Sequence, residues 1–120
     1  MSEHDEQTAL FSWAAMMQNR HPALGLLFAI PNAGKRSIGA ARYYLAEGLK
    51  SGMPDVFLTY PNGGYHGLFI EMKALGGKIS EHQKAWIEAL TEAGYIVYVC
   101  YSFEDAKYII CAYLGIEDEA

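Results

Sequence analysis

Cysteine is nearly missing: Cys100 and Cys111 are the whole supply. Two thiols eleven positions apart match neither a zinc-ligand spacing nor a disulfide framework, and they suit a reducing, cytoplasmic setting. The four histidines (His4, His21, His66, His82) are scattered without metal-ligand spacing, which argues against zinc. No apolar run reaches 18 residues, so neither a membrane-spanning helix nor a membrane partner is expected. The opening residues 1–7 are acidic and polar, unlike a secretion signal or transit peptide. Repeats, low-complexity tracts and linkers are absent too. Bases are few, nine Lys and Arg against 14 acids, a balance that on average disfavours nucleic acid. What is present is 120 residues with 52% hydrophobic content, enough for one folded domain over residues 1–120 and too little for two.

The charge average hides a gradient. Residues 1–34 carry one base and 85–120 another, while 35–84 hold Lys35, Arg36, Arg42, Lys50, Lys73, Lys78 and Lys84 against four acids. A basic centre on an acidic chain can meet a phosphate backbone, or its lysines can simply solvate helix faces.

Helical spacing of Leu10, Trp13, Ala14 and Met17 predicts a first helix over about 3–20, capped by Ser2. Leu26–Ile30 reads as a short buried strand, about 36–49 as a weaker helix, Asp55–Tyr60 and Gly67–Lys73 as strands joined by Pro61-Asn62-Gly63-Gly64. Ser80 opens a helix to about Ala93 with Trp86, Ile87 and Leu90 inward. Tyr95–Tyr101 reads as the clearest buried strand, and Ser102-x-x-Asp105 caps a last helix over about 103–114. Most tyrosines between 95 and 113 are expected in the core. The order α-β-α-β-β-α-β-α gives a mixed α/β fold with an antiparallel hairpin and one crossover to a parallel strand.

That hairpin gathers the chemistry. Glu71 and Lys73 share one face of their strand, and antiparallel return brings Asp55 beside them. Two carboxylates so close repel unless a cation sits between them. Asp55, Glu71 and the Met72 carbonyl form a hard-oxygen set suited to Mg²⁺ or Mn²⁺, with Lys73 able to stabilise charge on a phosphate or orient a water. The alternative is a structural ion pair at a strand end.

The set Gly52-Met53-Pro54-Asp55, Ile70-Glu71-Met72-Lys73, Gly77-Lys78-Ile79-Ser80 and Gln83 resembles the VRR-NUC (virus-type replication-repair nuclease) family of the PD-(D/E)XK nuclease superfamily. Pro31–Arg36 and Gly94–Val97 are similar to its standalone phage-type members. The resemblance implies an α-β-β-β-α-β core, Asp55 and Glu71 on metal and Lys73 as catalytic lysine. It also implies an acid from the first helix (Glu3, with Glu6 the runner-up) and Gln83 beside the metal. Glu3 has a competing role at the helix dipole, and Gln83 one in a Ser80-x-x-Gln83 capping box.

Gly34-Lys35-Arg36-Ser37 lacks the earlier glycine (Ala29 stands there) and the Ser/Thr after Lys, so a Walker A loop is rejected. Lys35, Arg36, Arg42 and Lys78 are the expected DNA contacts. Tyr43, Tyr44 and Tyr65 are available for base stacking or a dimer interface. The function expected is a metal-dependent DNA endonuclease acting on branched or junction DNA, paired as a homodimer because one small domain offers little surface for a duplex. Rivals are a non-catalytic nucleic-acid-binding or assembly subunit and a hydrolase of small phosphoesters.

Overall fold

The computed structural model describes residues 2–32 and 37–118. Helix α1 (Glu3–Met17) starts on a capping box in which the Ser2 hydroxyl accepts from Asp5 N–H and the Asp5 carboxylate accepts from Ser2 N–H. Pro22 opens a 3-10 turn to Leu26 where the sequence showed only a break, and β1 (Leu27–Ala29) follows. Helix α2 (Ile38–Ala46) is capped by Ser37 and buries none of its residues, consistent with its weak pattern. Strands β2 (Val56–Leu58) and β3 (Leu68–Met72) form the expected hairpin, helix α3 (Glu81–Glu92) crosses over, and β4 (Ile96–Cys100) leads into α4 (Phe103–Leu114).

The four strands lie in the order β1-β2-β3-β4. The first three run antiparallel and β4 runs parallel to β3, with Val56 opposite Ile70 and Ile70 opposite Tyr98. Alternation divides β3 between two faces. Leu68, Ile70 and Met72 join Val56 and Leu58 under Leu10, Trp13 and Met17 of α1 and Ala106, Ile110 and Cys111 of α4, which is the main core. The opposite face carries a smaller aromatic stack, with Phe57 and Phe69 rings 4.0 Å apart and nearly parallel and Tyr95 edge-on to both.

Several expectations of burial fail here. β1 is not a buried strand: it is a sheet edge that leaves Phe28 and Ala29 exposed. Tyr95–Tyr101 is not the buried strand: β4 is a sheet edge, and the strand with every residue buried is β3, which has a neighbour on each side. Aromatic and β-branched runs suit any pleated surface, so composition alone cannot separate an edge from a centre. The tyrosines follow: Tyr98 and Tyr101 are 39% exposed and Tyr108 73%. Trp86, Ile87 and Leu90 of α3 are only half-buried.

Candidate active site

The hairpin register that pairs Val56 with Ile70 continues outward to Asp55 and Glu71. Asp55 sits just before β2, where its carbonyl accepts Ile30 N–H at 2.8 Å and its Oδ2 accepts Met72 N–H at 2.7 Å. The carboxylate is thereby aimed across the hairpin onto the strand that bears Glu71. Glu71 follows Phe69 by two residues and so stands on the aromatic face, only 2% exposed. Its Oε1 is buried without a hydrogen-bond partner.

The electrostatics follow from that burial. Desolvation pushes the Glu71 carboxyl up to about 9, and the hydrogen bond and charge of Asp55 push the same way. The Lys73 ammonium pulls it down, and Glu3 adds a smaller upward push. Burial and the neighbouring Asp55 thus disfavour the charged form of Glu71.

The structure brings Asp55, Glu71 and Lys73 together at one end of the hairpin. Met72 turns its side chain into the core, 1% exposed, and offers the site only its backbone. Glu3 acts on Glu71 as a charge from the start of α1. Glu6 is engaged elsewhere: its Oε1 accepts Phe103 N–H at 2.8 Å, capping α4 from 97 residues away. Gln83 sits in the capping box, its Oε1 accepting Ser80 N–H at 2.9 Å and its own N–H donating to Ser80 Oγ at 3.2 Å. Arg42 on α2 and Lys78 after β3 are exposed, whereas Lys35 and Arg36 lie outside the described residues. Among the described residues, no three His, Cys, Asp or Glu side chains are grouped for metal binding.

The donor chemistry nevertheless fits a hard divalent cation. The buried Glu71 carboxyl, with one unsatisfied oxygen, meets the half-buried Asp55 carboxyl, and a cation between them would engage both.

The loop that carries Asp55 has contacts the sequence did not reveal. Trp86 Nε1–H donates to the Ser51 carbonyl at 3.0 Å, and His82 Nδ1 lies 3.3 Å from Ser51 Oγ. Asn32 Nδ2 donates to the Met53 carbonyl at 3.3 Å, and Pro54 is fully buried. A tryptophan at helical spacing reads as core, and nothing local signals a partner 35 residues upstream.

Comparison with known proteins bears on the family and the fold. The VRR-NUC domain model matches residues 5–104. A solved structure described as a VRR_NUC domain protein superposes with a TM-score of 0.79 at 26% identity, covering 98% of this chain and 92% of that one. The Fanconi-associated nuclease 1 homolog of Oryza sativa subsp. japonica is 32% identical over 88 residues, which is 68% of this chain. The match spans only 9% of the rice protein's length.

Proposed function

The chain belongs to the VRR-NUC family, with its PD-(D/E)XK-like fold, and from that premise we propose that it is a metal-dependent DNA endonuclease hydrolysing phosphodiester bonds. The observation that carries this reading is the buried Glu71 side chain, with an unsatisfied Oε1, set beside Asp55 and Lys73 at one strand end. Burying an unpaired polar atom costs about 1–3 kcal/mol, and a cation at this oxygen would offset that cost.

In this reading Asp55 and Glu71 hold Mg²⁺ or Mn²⁺, with the Met72 carbonyl, Gln83 and Glu3 available to complete the shell. When bound, the cation supplies charge neutralisation at the phosphate and acidity toward water. Lys73 places its ammonium at the same strand end, where it holds a phosphate oxygen or orients the attacking water. Burial around Glu71 keeps bulk water away and strengthens each of these interactions. Gln83 reaches the metal only by leaving its cap, so its two roles alternate.

Branched or junction DNA in replication, recombination or repair is the proposed substrate. A homodimer would present one site to each of two strands, and the exposed Ile38, Tyr43 and Leu45 of α2 are apolar surface that such pairing would cover.

Incubating the protein with branched and linear DNAs and Mg²⁺ or Mn²⁺, beside Glu71→Gln and Lys73→Ala, tests the reading. Each substitution should slow cleavage at least about 100-fold, near 2.7 kcal/mol of barrier. Undiminished cleavage by both variants would refute the site. DNA binding without cleavage by the parent would favour the non-catalytic subunit.

A further inference from the structure

Asp55 lies on a loop, whereas Glu71 lies on the most enclosed strand of the sheet. The distance between the two carboxyls is therefore set by whatever fastens the loop. Its anchors come in sequence order. Ser51 is held twice by α3, through its carbonyl to Trp86 Nε1–H at 3.0 Å and through its hydroxyl to His82 Nδ1 at 3.3 Å. Gly52 presses on α3 so closely that an added Cβ would lie 2.8 Å from His82 C and Cβ, and its φ of +88° is a conformation side chains rarely adopt. Met53 is tied to Asn32, Pro54 is buried, and Asp55 itself then reaches Met72 N–H.

We infer that Trp86 and His82 are positioning residues that clamp the Ser51–Gly52 segment onto helix α3 and thereby hold the Asp55 carboxylate against β3. The inference rests on the reading of Asp55 and Glu71 as the active pair. It adds that the pair is set from α3, the same helix whose first turn carries Gln83. Neither residue touches the reacting atoms. Trp86 acts through one donated hydrogen bond, and Gly52 is small because the helix backbone occupies the space a side chain would need.

The bond from Met72 N–H to Asp55 Oδ2 gives a readout independent of metal and of cleavage. Amide hydrogen exchange followed by NMR in the metal-free, full-length protein is compared for the parent, Trp86→Phe and Gly52→Ala. Trp86→Phe keeps an aromatic ring and removes the donor, while Gly52→Ala keeps every polar group and forces the loop off the helix. Both should speed Met72 exchange about five- to tenfold more than that of Leu68 and Ile70, the loss of one hydrogen bond's worth of restraint. Both should also weaken Mn²⁺ binding by a similar factor while leaving the cleavage rate at saturating Mn²⁺ within about twofold. If a variant does not fold, His82→Ala replaces it in the same comparison. Equal acceleration of all three amides means that Trp86 serves only overall stability, and unchanged Met72 exchange in both variants means that the loop is held without α3; either result overturns the inference. A parent that never cuts DNA would refute the nuclease reading and leave the exchange comparison valid.

Discussion

Replacing Glu71 by Gln should abolish metal binding yet stabilise the metal-free protein, and the gain should grow with pH. In the folded chain the carboxyl is held up at about 9, chiefly by desolvation and then by Asp55. In the unfolded chain it ionises near 4.3. A folded-state pKa above the unfolded value contributes stability that is complete below about pH 4 and declines as pH rises toward 9, because the unfolded chain releases a proton that the folded one retains. The slope is at most about 1.4 kcal/mol per pH unit, so moving from pH 5 to pH 8 costs the parent up to about 4 kcal/mol. For a chain of 120 residues that is a fall in Tm of up to about 15 °C. Glutamine has no proton to retain, and its amide can donate to Asp55 as the protonated acid does. Paired thermal and urea melts in chelator, run from pH 5 to pH 8, isolate the effect, since every other titrating group is common to both proteins. The curves should diverge with rising pH, the variant above. Parallel curves would show that Glu71 is ionised in the fold and would refute its upward shift.

Millimolar Mn²⁺ should raise the Tm of the parent, by about 2.7 kcal/mol of stability at a hundred times the dissociation constant, and leave Asp55→Ala unmoved; a shift in both would remove Asp55 from the ligand set. Glu6→Ala should cost about 1–2 kcal/mol in denaturant unfolding through loss of its bond to Phe103 N–H, with Mn²⁺ affinity retained. Glu3→Gln should do the reverse, lowering Mn²⁺ affinity measured by calorimetry with little change in stability. Interchanged results would make Glu6 the first-helix acid of the site.

The candidate site was more legible than its surroundings. Asp55, Glu71 and Lys73 were readable because strand alternation and a glycine-rich turn define a hairpin from local sequence alone. The capping residues Ser2, Ser80 and Ser102 were readable for the same reason, each bond spanning three positions. Asp105 already departs from the local rule, for its carboxylate accepts from Tyr101 N–H rather than from its own cap residue. What stayed hidden depends on distant partners. Glu6 on Phe103, Trp86 on Ser51 and the edge position of β4 follow from how elements meet, which periodicity does not encode. Lys107 illustrates the same limit: it is 9% exposed, packed over Phe103 and bonded to Asp118 at 2.6 Å, where composition suggests a solvated base.

The parallel pairing of β3 with β4 has a consequence for the birth of the enzyme. Glu71 becomes enclosed only when residues 96–100 arrive beside residues 68–72, after the whole of α3 has been traversed. Contacts so distant along the chain form late in folding. A chain that has made only the hairpin lacks the neighbouring strand and leaves Glu71 more hydrated. The surroundings of the candidate site thus depend on the last third of the polypeptide as well as on the hairpin.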